Sequence, residues 1–197
     1  MIRALLGGSY DPVHTGHVAM VAHLFEHGLA DHVTVVPNWR SPWREATGAS
    51  PTDRLAMCRL AFAGHAGVTI DDREVAAGRP VYTVETLTAL CAEYPADRWR
   101  LVVGADHLAT FNAWREPERI LGLVELVVLA RAGVAGNSPD LSGLGLPPER
   151  IVLAPPFDHP VSASAVRAML AAGAGASAPV PAAVAAYIEA HRLYRVA

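Results

Sequence analysis

The chain has 197 residues, 52% of them hydrophobic, and a formal net charge of −3, which fits one α/β domain with a real core rather than a disordered or strongly basic chain. All 16 basic residues are Arg, so no Walker A lysine, lysyl-nucleotide intermediate or Schiff base is available. No stretch approaches the roughly 18 apolar residues of a membrane span, and no basic run marks a nucleic-acid surface.

The first element is the apolar run Ile2–Leu6, broken by Arg3, which reads as a buried strand. It is too short for a signal peptide, so a cytoplasmic protein is expected. Gly7 and Gly8 follow at once and let a ligand approach the backbone. Asp11-Pro12 makes a turn. Thr15 is an N-cap candidate for a helix over Gly16–His27. Strand, glycine turn and helix start form a ligand site at the carboxyl end of a strand, with N–H groups suited to phosphate. His14 and His17, three apart, can face one ligand and donate to a phosphate whose charge grows in a transition state.

The stretch Gly7-Gly8-Ser9-Tyr10-Asp11-Pro12-Val13-His14-Thr15-Gly16-His17 resembles the signature of the HxGH nucleotidyltransferases, most closely the nicotinate (nicotinamide) mononucleotide adenylyltransferases. It lacks the form of the dehydrogenase GxGxxG fingerprint. The resemblance implies that His14 and His17 are catalytic and that backbone at Gly7, Gly8 and Ser9 lines the ATP site.

The second strand, His32–Val36, runs into Pro37-Asn38-Trp39-Arg40-Ser41-Pro42-Trp43-Arg44. Two Arg and two Trp in a Pro-held loop can clamp an anion and stack on a ring, or simply be an exposed loop. The segment is similar to the family's Pro-Asn and Pro-His-Lys positions. Trp43 and Arg44 take the last two, and Arg44 keeps a cation beside the pyridine nucleotide. Ser50-Pro51-Thr52-Asp53 opens a helix over Thr52–Ala63, with Leu55, Cys58, Leu60 and Phe62 as core. Val68–Ile70 is a weaker strand. Gly78 to Leu87 is a turn feeding a helix, Thr83–Tyr94, capped by Thr83, with Val84, Leu87 and Leu90 or Cys91 on one face. It also resembles a family segment along the pyridine nucleotide, which implicates Tyr82 and Thr83. Cys58 and Cys91 read as reduced thiols inside helices.

Strand Arg100–Gly104 ends in glycine, with Asp106 placed to cap a short helix, Asp106–Asn112, or to accept from ribose hydroxyls. Trp114 is core or a stacking partner for a ring. The family's Gly-x-Asp-x-Leu…Phe-x-x-Trp pattern is similar, which implies nucleotide contacts from Gly104, Asp106 and Trp114. Strand Glu125–Ala130 leads to Arg131, at a place where the family has an Arg facing the pyridine nucleotide. Residues 132–149 read as a long surface loop, followed by strand Ile151–Ala154. Ser162 and Ser164 can cap a helix or bind phosphate, and Arg167 lies one turn on. This segment is similar to the family's Ile-Ser-Ser-Thr-x-Ile-Arg motif, which implies that Ser162, Ser164 and the catalytic Arg167 hold the ATP phosphates. Val184, Tyr187 and Ile188 give a last helix, and the closing His191-Arg192-Leu193-Tyr194 reads as packing.

The alternation implies a single doubly wound, Rossmann-like α/β domain over residues 1–197, with a mostly parallel sheet. The resemblance implies direct adenylyl transfer from ATP to nicotinate mononucleotide. Mg²⁺ comes with ATP, without a dedicated protein cage. Partners are ATP and a pyridine mononucleotide, with no nucleic acid and no membrane; homo-oligomerisation is left open. Rival readings are the same transfer to nicotinamide mononucleotide, phosphopantetheine or a sugar phosphate, and a non-catalytic nucleotide-binding module.

Overall fold

The computed structural model describes residues 1–40, 48–129 and 145–195. Chain order is β1 (Ile2–Gly8), α1 (Thr15–Glu26), β2 (His32–Pro37), α2 (Pro51–Ala61), β3 (Val68–Ile70), α3 (Arg73–Ala76), α4 (Thr83–Glu93), β4 (Arg98–Gly104), α5 (Ala105–Leu108), α6 (Pro117–Leu123), β5 (Glu125–Leu129), β6 (Ile151–Leu153), α7 (Ala163–Ala171) and α8 (Ala182–Ala190). The six strands form one sheet in the order β3-β2-β1-β4-β5-β6. Leu5 stands opposite Leu101, Val103 opposite Val128 and Val128 opposite Leu153, all in parallel register. The winding reverses beside β1, the hallmark of a doubly wound sheet, and the carboxyl end of β1 is Gly7-Gly8.

The chain divides into two compact units, each assembled from three separate stretches. One comprises Met1–Leu6, Ala22–Thr34 and Val81–His159. It contains β4 and β5, whose residues Leu101–Val103 and Leu126–Leu129 are buried, and Leu87, Leu90, Leu108, Phe111 and Ile120 are fully buried in the same unit. The other comprises Gly7–Val21, Val35–Pro80 and Pro160–Ala197. Its core is Tyr10, Val13, Val36, Leu55, Met57, Cys58, Phe62, Val166, Val184 and Ile188, and α2 packs on α8 there.

Several boundaries differ from expectation for local reasons. β1 runs two residues past Leu6, because the Gly8 carbonyl still accepts the Asn38 N–H at 2.9 Å. The left-handed turn residue is then Tyr10, at φ 49°, and neither Gly7 nor Gly8. β4 starts at Arg98, whose N–H donates to the Met1 carbonyl at 3.0 Å. The expected helix over Asp106–Asn112 is instead α5 and a separate 3₁₀ turn, Phe111–Ala113. Leu60 is exposed, not core: Leu55, Cys58 and Phe62 recur at helical spacing on the buried face and Leu60 falls opposite. α2 begins as its sequence predicts, with Ser50 Oγ accepting from the Asp53 N–H at 3.1 Å and Pro51 in the first turn. Both thiols are free, and burial pushes the pKa of each up. Of the expected loop 132–149, residues 132–144 lie outside the described part; Pro148–Arg150 form a 3₁₀ turn.

Candidate active site

The carboxyl end of β1 and the amino end of α1 bring His14 and His17 together. Their rings lie 3.8 Å apart at 31°, so the spacing of three does place both imidazoles on one side. His14 is buried and His17 half-buried. Tyr10 flanks His17 at 4.8 Å and is itself 3% exposed, with its phenol pKa pushed up by burial. The His14 carbonyl accepts the His17 N–H at 2.9 Å, and the His14 N–H donates to His17 Nδ1 at 3.2 Å. This reciprocal pair caps α1. It also assigns the tautomer: neutral His17 carries its proton on Nε2, which makes that atom a donor. Thr15 does not cap the helix. Its N–H and hydroxyl both donate to the Pro179 carbonyl, at 3.0 and 3.2 Å.

The loop between β1 and α1 is held by two side chains that the sequence alone does not single out. Arg54 on α2 is 0% exposed. Its guanidinium donates to the carbonyls of Ser9 (2.5 Å), Asn38 (2.7 Å) and Trp39 (2.7 Å), and to Asn38 Oδ1 at 3.3 Å. Burial lowers its pKa, opposed by Asp11. Asp11, read from sequence only as a turn former, is 4% exposed. Its carboxylate accepts the N–H groups of Gly48 (2.7 Å) and Ala49 (3.1 Å) and the Tyr194 hydroxyl (2.6 Å). One signal for Arg54 was present: it shares the buried face of α2 with Met57, Cys58 and Ala61, where an unpaired cation is costly.

Arg167, on α7, donates through Nη1 to the Asp11 carbonyl at 2.7 Å and through Nη2 to Ser164 Oγ at 3.2 Å. Ser162 caps α7, its Oγ accepting from the Ala165 N–H at 3.3 Å. Gly7 is exposed, and nothing lies within 4 Å of where its Cβ would stand. Ser9 Oγ accepts from Asn38 Nδ2 at 3.4 Å. His14, His17, Ser9, Ser162, Ser164 and Arg167 therefore belong to one compact unit.

Tyr82, Thr83, Gly104, Asp106 and Trp114 belong to the other unit. Gly104 ends β4 at an ordinary φ of −72°, and a Cβ there would meet only the tip of the exposed Asp106 carboxylate, at 2.4 Å, which can swing aside, so the position does not require glycine. Asp106 does not cap α5; it lies inside it, largely exposed and 3.3 Å from His107 Nδ1. Tyr82, not Thr83, holds the cap position of α4, its N–H donating to Glu85 Oε1 at 3.0 Å. The Tyr82 ring is exposed and carries the Arg115 guanidinium 4.7 Å above its centroid. Trp114 is half-buried against Phe111, with centroids 5.4 Å apart. Arg44, Trp43 and Arg131 lie outside the described residues. Among the described residues, no group of three or more His, Cys, Asp or Glu side chains is arranged to hold a metal ion. None of the described helices is long and apolar enough to cross a membrane.

Residues 5–169 match the cytidylyltransferase-like family model. A Bordetella avium protein named "Probable nicotinate-nucleotide adenylyltransferase" is 39% identical over 197 residues, covering 98% of each chain. A Pseudomonas entomophila protein of the same name is 37% identical, covering 97% of this chain and 94% of its own. In fold the chain is similar to the Plasmodium falciparum nicotinic acid mononucleotide adenylyltransferase complexed with NaAD, with a TM-score of 0.77 at 16% identity over 98% and 97% of the two chains.

Proposed function

From the premise that this chain belongs to the cytidylyltransferase-like family, and within it to the nicotinate-nucleotide adenylyltransferases, we propose that it transfers the adenylyl group of ATP to nicotinate mononucleotide. The products are deamido-NAD and pyrophosphate, a step of NAD biosynthesis. The observation that carries this reading is the adjacent His14–His17 ring pair at the amino end of α1, on the turn that follows Gly7-Gly8-Ser9. One nucleotidyltransferase domain over 1–197 is part of it, since the family match draws on both compact units.

The chemistry is a single in-line displacement. A phosphate oxygen of the mononucleotide bonds to the α-phosphorus of ATP, the bond from that phosphorus to the bridging oxygen breaks, and pyrophosphate leaves with the electron pair. No enzyme nucleophile takes part, in keeping with a chain whose 16 basic residues are all Arg. Catalysis is then positioning and charge stabilisation. His17 Nε2–H and the His14 imidazole donate to the transferring and leaving phosphate oxygens. Arg167 holds the β- and γ-phosphates, with Ser164 fixing its outer nitrogen and the Ser162-capped end of α7 adding N–H groups. Gly7, Gly8 and Ser9 line the nucleotide, and Gly104 and Asp106 receive the ribose. Tyr82, Thr83 and Trp114 hold the pyridine ring, with Arg44 and Arg131 supplying cations. Nucleotidyltransferases typically use a divalent metal. Mg²⁺ chelated by the ATP phosphates would neutralise their charge, and it needs few protein ligands because it keeps several waters. A cytoplasmic location goes with ATP as substrate.

Pyrophosphate release with Mg-ATP and each mononucleotide in parallel tests the reading. Strong release with the nicotinate form and weak release with the amide is the expected result. Comparable rates make the enzyme dual-specific, and silence with both, in a folded sample that binds ATP, overturns the transfer. Arg167→Ala is expected to raise the KM for ATP about tenfold, the scale of a lost charge-assisted contact; an unchanged ATP saturation curve removes Arg167 from the triphosphate.

A further inference from the structure

The last residues of the described chain return to the candidate site. A buried carboxylate must be satisfied by donors, and those of Asp11 come from Gly48, Ala49 and Tyr194, the last 183 positions away in sequence. Arg167 adds to them, with Nη1 3.9 Å from Asp11 Oδ2 while it donates to the Asp11 carbonyl. Tyr194 does not reach Asp11 by default. Arg192 and Tyr194 both adopt left-handed φ angles, 53° and 59°, a region that residues with a Cβ seldom occupy unless their surroundings hold them there. The ring is equally constrained: a Cβ on Gly48 would lie 2.8 Å from Tyr194 Cε1 and 3.4 Å from Arg167 Cδ. Gly48, Tyr194, Asp11 and Arg167 thus form one packed and hydrogen-bonded group in a single compact unit. The Tyr194 hydroxyl keeps its proton, because burial and the Asp11 carboxylate both push its pKa up.

We propose that Tyr194 is a positioning residue for adenylyl transfer: by donating to Asp11 it fixes the Asp11 backbone and carboxylate against which Arg167 is aimed at the ATP phosphates. This rests on the function proposed above. Tyr194 touches no substrate and acts through Asp11 and Arg167.

The test is Tyr194→Phe, which removes the hydroxyl and leaves the ring over Gly48. The KM for ATP is expected to rise about five- to tenfold, a part of the worth of one hydrogen bond to a charged group because Tyr194 acts on ATP only through Arg167, while the KM for nicotinate mononucleotide stays within about twofold. In an Arg167→Ala background the same substitution is expected to change the ATP KM no further, because members of one network are not additive. Tyr187→Phe is the control. It loses a comparable bond, Tyr187 hydroxyl to Asp53 at 2.9 Å, and should leave the ATP KM unchanged. An unmoved ATP KM in Tyr194→Phe overturns the proposal. So does an equal change in both backgrounds, or a parallel rise in both KM values. If the parent chain releases no pyrophosphate, the transfer reading falls separately, and the Kd for Mg-ATP by titration calorimetry decides the matter in the same variants. Weaker binding in Tyr194→Phe alone, but not on top of Arg167→Ala, supports the positioning role; equal affinities overturn it.

Discussion

His17→Ala is expected to lower kcat by at least about a hundredfold, the usual cost of removing one donor aimed at developing charge. Both KM values should stay within about threefold, because the contact strengthens as negative charge gathers on the phosphate oxygens and is weaker in the ground state. The fold should survive. His17 is half-buried, and among the contacts its removal takes away are the acceptor for the His14 N–H and the ring contacts with His14 and Tyr10. That is a loss of about 1–2 kcal/mol. His17→Asn separates the two roles of the ring. An Asn carbonyl oxygen can stand where Nδ1 stands and accept the His14 N–H, but nothing replaces the Nε2 donor. Thermal stability should recover toward the parent in His17→Asn while kcat stays low. Turnover near the parent value in His17→Ala, measured by pyrophosphate release, would remove His17 from the chemistry.

What was legible in the sequence follows from the range of the interaction that decides it. The strands and most helices rest on local periodicity, and the parallel sheet rests on their alternation, so both could be read directly. The His14–His17 pair was legible because a spacing of three on one helix start fixes proximity without any tertiary contact. Small misreadings have the same root. Thr15 has good capping chemistry, yet the distant Pro179 carbonyl takes both of its donors. Gly7 and Gly8 suggest a turn, yet pairing with the next strand keeps Gly8 extended and moves the left-handed turn residue to Tyr10. Asp11 and Tyr194 were not legible as partners at all: nothing periodic links positions so far apart, and an Asp-Pro pair already has a sufficient local explanation as a turn. Arg54 is the intermediate case. Its place on the apolar face of α2 signals a buried cation, but not which carbonyls receive it.

Arg54→Met is expected to cost about 3–5 kcal/mol of stability, the scale of removing one side of a buried charged network. Methionine fills similar volume without donors, so the loss is one of hydrogen bonding more than of packing. It strips the donors from the Ser9, Asn38 and Trp39 carbonyls and from Asn38 Oδ1, at a place closed to solvent around the guanidinium. For a chain of this size the midpoint of thermal unfolding should fall by about 10 °C. Arg54→Lys should be intermediate, because one ammonium keeps the charge but cannot reproduce the planar fork that serves carbonyls from two loops. The functional consequence follows from the chain connection. Ser9 lies between Gly8 and the His14–His17 pair, so freeing its carbonyl loosens the segment that sets both imidazoles. At a temperature where Arg54→Met is still folded, kcat should therefore fall with little change in either KM, whereas loss of Arg167 changes the ATP KM first. Circular dichroism melts and pyrophosphate-release kinetics on the same samples separate the two effects. A parent-like midpoint in Arg54→Met would show that the guanidinium does not hold the loops, and a parent-like kcat in a destabilised variant would show that it holds them without setting the histidines.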